Sequence, residues 1–352
     1  TMDMMLIPDF NQVRSDDKVL NLSPIETRYD EQRTFFTEGT ELFNCANIFY
    51  SRRIGSQPLE FNSVNSKLNS NEIVIKNPSS SQLYNATKIS GRTKDKLGIG
   101  FFNAVTAPTN AIIEDTILNS SRNILTNPLT NYNVLVLDRG IKNNSYISLI
   151  NTNVLRNGSA NDANVTGMQF KVADKKNIFA FSGSGAFSNL FFSDSTKPYS
   201  GYYYNVSFGK ISGNYIIELI QNNISTTYNP NDMGYQDRTN QFAHYLNQCY
   251  NIYKPFWIIN KLSTALRMGM IMLHEPRKYT WFYIVNDNYF EFKNYFTSLR
   301  YIEHKSVSIC SGIDSSVRFI GSHISVFKQY LTNGIIPAKG YFIIQDCLRT
   351  RN

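Results

Sequence analysis

Long stretches of this chain alternate apolar and polar residues with a period of two. The clearest is Ala163 to Ala173, where one parity carries large apolar side chains and the other carries small or polar ones. The apolar positions are Met168, Phe170 and Val172, and the intervening positions are Gly167, Gln169 and Lys171. Successive side chains of a strand point to opposite faces of its sheet. The pattern therefore predicts a strand with an apolar outer face and a polar inner face.

Pairs of such stretches are joined by short segments rich in turn residues. Asn131 to Arg139 and Ser145 to Arg156 have an extended pattern, and Gly140 to Asn144 suits a tight turn between them. Four further hairpins are predicted: Gln82–Arg92 with Lys96–Ala107, Ala163–Ala173 with Asn177–Phe187, Gly201–Ile211 with Asn214–Tyr228, and Gln241–Tyr253 with Phe256–Met270. Each arm has about ten residues, close to the ~9–11 with which a tilted strand crosses a bilayer.

These ten strand candidates predict an all-β, antiparallel up-and-down meander over residues 82–270. Because such meanders tend to close, we expect a partial or complete transmembrane β-barrel. A soluble β-sandwich or propeller is the alternative. Sandwiches, however, use shorter strands with turn signals every ~8–12 residues.

The regions outside this meander follow the pattern less well. Residues 1–81 contain a short strand candidate at Met4–Ile7 and the charged stretch Pro8–Gly39, which we expect to be either a solvated loop or a luminal, plug-like element. Glu41–Arg53 is a further strand candidate, and Pro108–Asn127 is predicted to be a polar connection. Residues 271–352 sustain neither the period of two of a strand nor the period of ~3.6 of a helix. This tail therefore stays unassigned and is expected to be a truncated or frame-shifted ending.

The composition favours a membrane protein built from strands. Aromatic residues make up 14% of the chain, while charged residues fall to 18%, below the ~25% of soluble domains. Aromatic girdles of this kind flank the lipid-facing band of β-barrels. Apolar runs such as Met268–Leu273 are far shorter than the ~20 residues of a membrane helix. The first residues lack the features of a signal peptide, so we expect the sequence to be a piece of a longer protein.

Candidate chemistry is sparse. The net charge of +8 is scattered rather than gathered into a stripe with aromatics, which argues against a nucleic-acid partner. The four cysteines lack CxxC spacing, so unpaired thiols are expected rather than a zinc site or a disulfide framework. The four histidines lie far apart, and no nucleophile elbow is present. We therefore expect no catalytic, cofactor-binding or metal-binding residues, no cofactor and no enzymatic activity.

Motifs in roughly the first 270 residues resemble one family. They are Pro8–Asp9–Phe10, Gln12–Val13, Asn21–Leu22, Glu26, Glu31, Arg33, Phe35–Phe36, Glu38–Gly39, the run Phe49 to Gly55, the run Lys88 to Thr93, Asn131–Tyr132, Asp138–Arg139 and the run Ser145 to Asn153. This set is similar to uncharacterised outer-membrane β-barrel proteins of the Bacteroidota type, in which a family-nine carbohydrate-binding-module-like domain usually precedes the barrel. Arg14, Gln32 and Thr34 depart from the family pattern, which favours an acid, a lysine and a proline there.

The pattern and the resemblance together imply a protein of the cell outer membrane that acts in surface transport or display and is related to glycans. The alternatives are a non-conducting structural anchor for a surface carbohydrate-binding domain and a soluble β-rich hydrolase. The expected partners are outer-membrane lipid and glycans, the latter through the preceding domain. The candidate luminal positions are Arg33, Phe35, Phe36, Glu38, Arg52, Arg53, Gln169 and Lys171.

Overall fold

A computed structural model describes residues 2–7, 26–195, 197–292, 297–310 and 318–332, the last two ranges as backbone. Seventeen strands follow one another in these ranges: β1 Met2–Leu6, β2 Glu72–Lys76, β3 Leu83–Arg92, β4 Leu97–Thr106, β5 Thr109–Asp115, β6 Ser120–Asn127, β7 Thr130–Ile141, β8 Ser145–Arg156, β9 Asp162–Ala173, β10 Phe179–Phe191, β11 Tyr199–Lys210, β12 Tyr215–Ile224, β13 Gln241–Ile252, β14 Ile259–Met272, β15 Tyr279–Phe292, β16 Thr297–Cys310 and β17 Arg318–Thr332.

Fourteen strands form one large sheet in the order β1-β3-β4-β7, followed by β8 to β17 in sequence. All its neighbouring strands are antiparallel, as in the pairing of β9 with β10 that places Met168 opposite Gly185. The predicted all-β antiparallel meander is thus confirmed, and all five predicted hairpins are present. In the described part of the chain β1 and β17 remain the two edges of the sheet, so the sheet is not closed.

Two stretches differ from the sequence-based prediction. Pro108–Asn127, expected to be a polar connection, contains β5 and β6, which join β2 in a separate three-stranded sheet. The inward parity of β5, Ala111 and Ile113, is buried beneath Val64 of a 3₁₀ helix, Phe61–Lys67. This hairpin therefore has a small apolar core of its own.

The strand predicted at Glu41–Arg53 is absent. This stretch instead contains two 3₁₀ turns, Glu41–Phe43 and Ser51–Arg53. Ala46 and Asn47 between them adopt positive φ angles of 53° and 55°, which no extended strand contains. Odd- and even-numbered residues are both buried in this stretch, so its burial does not alternate as it does in a strand with one covered face.

The region that the sequence pattern left unassigned continues the sheet. β15, β16 and β17 each pair with the preceding strand. In β15 large apolar residues occupy both parities, for example Phe282 and Tyr283, so no period of two can be seen in the sequence. Residues 311–317 and 333–352 lie outside the described residues.

The two faces of the large sheet differ sharply. One, the covered face, carries Ala86, Phe102, Val134 and Ile150, all buried at 0–2% exposure beneath residues 26–55. The opposite, exposed face carries apolar side chains without any covering element in the described residues. Within those residues, no helix is long and apolar enough to cross a membrane.

Candidate functional site

Residues 26–55, which we call the docked segment, lie on the covered face of β3 to β10. Glycines in the strands let the segment approach the sheet closely. A Cβ added to Gly100 would lie 3.2 Å from Phe43 Cζ, and one added to Gly167 would lie 3.1 Å from the Cβ of Ala46. These glycines therefore leave room that any larger residue would fill.

An aromatic cluster forms the apolar anchor of the docked segment. Phe35 and Phe36 lie in a single helical turn, Thr34–Thr37, with ring centroids 5.1 Å apart in an edge-to-face arrangement. The Phe36 ring lies 5.9 Å from that of Phe102 on β4, and the Phe49 ring lies 5.6 Å from it on another side. Such contacts add to the free energy gained by burying the rings.

Lys88 on β3 ties the same helical turn to the sheet. Its side chain is only 3% exposed, and its Nζ donates hydrogen bonds to the carbonyl oxygens of Phe35, at 2.6 Å, and Glu38, at 2.5 Å. The ammonium also lies 4.8 Å from the centre of the Phe35 ring. Glu38, a predicted luminal position, contributes its carbonyl to this contact, while the residue as a whole is exposed.

Arg33 and Glu31 form a largely buried ion pair within the segment. The guanidinium donates from Nε to Oε1 at 2.8 Å and from Nη2 to Oε2 at 2.7 Å. Arg33 also donates to the carbonyl oxygens of Ile54 and Ser51, and the Ser51 hydroxyl donates to Glu31 at 2.6 Å. Burial raises the pKa of Glu31, but its hydrogen bonds and the charge of Arg33 outweigh this effect, so that the pKa lies below its usual 4.5.

Arg52 and Arg53 hold the two ends of the segment together and attach it to a distant loop. Arg52 donates to the carbonyl oxygen of Asp30, from Nε at 3.1 Å. Arg53 forms a two-pronged pair with the Glu26 carboxylate, at 2.8 and 2.7 Å, and donates to the carbonyl oxygen of Gly234. Planar pairing of this kind fixes geometry as well as charge.

Beside the docked segment the covered face opens into a polar cleft of about 260 Å³. The side chains that give the cleft its polar character are Tyr146, Gln169, Lys171, Ser182, Ser184, Asn205, Ser207 and Glu218. Gln169 links segment and cleft, since its Oε1 accepts from the Ala46 amide at 3.3 Å and its Nε2 donates to the Tyr146 hydroxyl at 2.9 Å. Two predicted positions, Gln169 and Lys171, therefore share one site.

The charges in this cleft are unusual for being unpaired. Neither Lys171 nor Glu218 forms an ion pair within the described residues, although both line the cleft. The hydroxyls, by contrast, are matched across the strands, with Ser182 and Ser207 2.8 Å apart and Ser184 2.7 Å from the Tyr203 hydroxyl. The arrangement can bind a polar solute through hydroxyl, amide and charged groups.

The cleft does not contain a recognisable catalytic pair. No histidine lines it, and Cys45 of the docked segment is a poor nucleophile because burial and then the Asp138 carboxylate raise the pKa of its thiol to about 11. Cys45 and Cys249 are free thiols. No group of three or more potential metal ligands lies together in the described part of the chain.

Of the eight predicted positions, six lie in the docked segment and two in the cleft, so the structure brings them to one face of the sheet. Sequence reasoning missed Lys88, Tyr146 and Glu218 as members of the site. The sequence did contain an indication for Lys88, because this polar residue lies on the same face of β3 as the buried Ala86. The sequence contained no indication for Glu218, because this residue lies at the cleft only through the pairing of β11 with β12.

A family model described as "Domain of unknown function (DUF5916)" matches residues 1–308. The chain therefore belongs to this family, which is uncharacterised, as the sequence resemblance implied. No match was found among curated proteins or among solved structures.

Proposed function

We propose that this member of the DUF5916 family forms a β-barrel of the cell outer membrane that acts in surface transport or display. The observation that carries the proposal is an apolar stripe on the exposed face of the large sheet. Phe181, Phe208, Leu219, Leu246 and Met268 stand directly opposite one another on five consecutive strands, β10 to β14. Leu219 is 57% exposed and Phe208 is 55% exposed.

A second apolar row crosses the earlier strands on the same face, offset by four residues because Phe181 lies opposite Val172 and Met168 opposite Gly185. Ile99, Leu137, Leu149 and Met168 are likewise aligned on β4, β7, β8 and β9, with exposures of 41–45%. Soluble monomers rarely expose apolar patches larger than a few hundred Å², whereas a lipid-facing sheet requires one. Strands β7 to β11 each contain 12 or 13 residues, enough to cross a bilayer when tilted.

Closure of the sheet is part of this proposal. An open sheet edge exposes unpaired amide and carbonyl groups, and in hydrocarbon each such group costs several kcal/mol. A membrane-embedded form of the chain therefore requires the edges of the sheet to be paired. The family resemblance supplies the further proposal that the transported or displayed material is related to glycans.

A non-conducting anchor is the second candidate function, and the docked segment favours it. The segment covers the face that would line a lumen and is fastened there by Lys88 and by the Phe35–Phe36 cluster. A hydrolase is less well supported, since glycoside hydrolysis uses two facing carboxylates and Glu218 is the single carboxylate among the residues that line the cleft.

The proposal is tested by placing a lysine in the stripe. In a soluble protein Leu219→Lys would be nearly neutral, because the side chain is already exposed. In lipid the same change is expected to lower the free energy of unfolding by ~2–4 kcal/mol near the bilayer midplane. The measurement is unfolding of the full chain refolded into lipid vesicles.

The matched control is Thr166→Lys, at an exposed position nearer the longer connections on the same face. Thr166 lies in a polar environment, beside Asn151 at 2.8 Å, so little change is expected there. Equal stability of both variants and the parent, in vesicles that have taken up the protein, would contradict a lipid-facing stripe.

A further inference from the structure

The two ends of the large sheet carry different charge. Short hairpin connections, at residues 93–96, 142–144, 174–178, 211–214 and 253–258, define what we call the turn end. The longer connections define the opposite, loop end. Exposed lysines occur in four of the five short turns, namely Lys94, Lys96, Lys142, Lys175, Lys176 and Lys254. The fifth turn directly follows Lys210, the last residue of β11.

Few carboxylates oppose these lysines. None of the lysines in the short turns forms an ion pair within the described residues. One of the nearby carboxylates, Asp174, instead accepts hydrogen bonds from the backbone amides of Ile178 and Phe179, at 2.6 and 2.8 Å. The turn end therefore carries a net positive charge, because the short turns contain six lysines and only two carboxylates, Asp95 and Asp174.

At the loop end the charges of opposite sign occur together. Arg156 pairs with Asp232 at 2.5 Å, and Arg238 lies 3.7 Å from the neighbouring Asp237. Lys278 shares its connection with Glu275. The excess of positive charge is thus a property of one end of the sheet and not of the whole surface.

One turn combines this charge with exposed aromatic side chains. In the connection of β13 to β14, Tyr253 is 63% exposed and Trp257 is 80% exposed. Phe256 and Ile258 are 40% and 47% exposed, and Lys254 lies between them and Tyr253. Tyrosine and tryptophan are enriched where a membrane protein meets the bilayer interface, because one end of each ring system is polar.

We infer that the turn end is a docking surface for the headgroups of anionic phospholipids. The lysine ammonium groups bind lipid phosphates, and the turn Tyr253–Ile258 sits among the headgroups beside them. This inference rests on the proposed membrane-embedded function and adds to it which end of the sheet meets anionic lipid. Charge complementarity selects the occupant, since basic residues near an anionic bilayer each favour it by several-fold.

The chain contains two tryptophans, so Trp281→Phe leaves Trp257 as a reporter at the turn end. The full chain carrying this change is refolded into vesicles of neutral phosphatidylcholine, and quenching of Trp257 is measured as brominated lipids replace normal ones. Brominated phosphatidylglycerol is compared with brominated phosphatidylcholine. We expect the anionic lipid to bind beside Trp257 about 10-fold more tightly.

Two double variants test whether the turn lysines cause the preference. Lys210→Gln with Lys254→Gln, at the turn end, is expected to bring the ratio of the two lipid affinities close to one. Lys197→Gln with Lys278→Gln, at the loop end, removes the same charge and is expected to leave the ratio unchanged. A ratio that both variants lower equally would overturn the inference.

The remaining outcomes separate this inference from the proposed function. Equal quenching by both lipids in the parent would contradict the headgroup preference while leaving a membrane-embedded protein. Absence of quenching by either lipid, in protein that floats with the vesicles, would show that the turn lies away from the bilayer and would also overturn the inference. Protein that does not float with vesicles of either composition would overturn the proposed function and the inference together.

Discussion

Charged residues of the docked segment are held by partners that also hold the backbone. Arg33 is 9% exposed and joins Glu31 to two carbonyl groups of a later turn. An arginine buried without its carboxylate would be an uncompensated charge, which costs ~3–5 kcal/mol in buried pairs. The segment is therefore fixed by a contact that tolerates the loss of neither partner.

This pair gives docking a defined pH dependence. The pKa of Glu31 is lowered in the folded state, so its stabilising contribution is present above 4.5 and is lost as the pH falls through the lowered value. The protection of residues 26–55 against hydrogen exchange, relative to the intrinsic rate at each pH, should therefore stay high at neutral pH and fall only below 4.5. Glu31→Gln should exchange faster at neutral pH and lack this acid transition; an identical transition in both proteins would contradict the assignment.

The two buried phenylalanines allow a second test. Changing Phe35 and Phe36 to alanine removes rings that are 8% and 4% exposed, and each such truncation in a core costs ~3–5 kcal/mol. We expect limited proteolysis to cut the variant between residues 26 and 55 much faster than the parent. Phe101→Ala on the exposed face serves as the control. Rapid cleavage of the parent itself would show that the segment is solvated.

At the level of the strands, glycine positions decide whether the segment fits. Gly100→Val would place atoms against Phe43, whose Cζ already lies 3.2 Å from an added Cβ, at a cost of ~1–3 kcal/mol. Gly91→Val is the matched control on the neighbouring strand, since a Cβ there meets no atom within 4 Å. We expect faster hydrogen exchange of residues 42–48 in the first variant alone. Unchanged exchange in Gly100→Val would mean that the segment does not press on β4.

The strands themselves were predictable where one face is apolar and the connection is short. Met168, Phe170 and Val172 showed their parity plainly, and Gly140 to Asn144 marked a turn. β5 and β6 form a local hairpin but were missed because β6, Ser120–Asn127, is mostly polar and shows no clear apolar face. β15 was missed for a different reason, since Phe282 and Tyr283 make both faces apolar and remove the alternation.

The site was predictable only in part for a related reason. Gln169 and Lys171 could be placed on the polar parity of one strand, but Tyr146 and Glu218 reach the same cleft through two other strands. Lys88 similarly acquires its role from carbonyl groups about 50 residues earlier in the chain, at Phe35 and Glu38. Local patterns give the direction of a side chain, whereas its partners depend on the register of the whole sheet.

For the molecule as a whole, the position of the docked segment allows a prediction of the ion conductance of the proposed barrel. The parent reconstituted in planar bilayers should be silent or nearly so, because the segment covers the face that would line the lumen. The double variant of Phe35 and Phe36 to alanine should show intermittent conductance as the segment loosens. Steady, large conductance of the parent would indicate an open pore, and the anchor candidate would then fail.

The fastening of residues 26–55 also constrains the order in which the protein assembles. The Tyr50 amide donates to the carbonyl oxygen of Met233, and Arg53 reaches Gly234, so the receiving surface is complete only when the chain has been made to that point. Neighbouring strands can pair as hairpins soon after synthesis, whereas contacts separated by about 180 residues form late. Residues 26–55 are thus synthesised early but are among the last parts of the chain to dock. Until they do, Ile48, which packs against Gly167 of β9 in the finished structure, stays uncovered, and exposed apolar surface of this kind promotes aggregation.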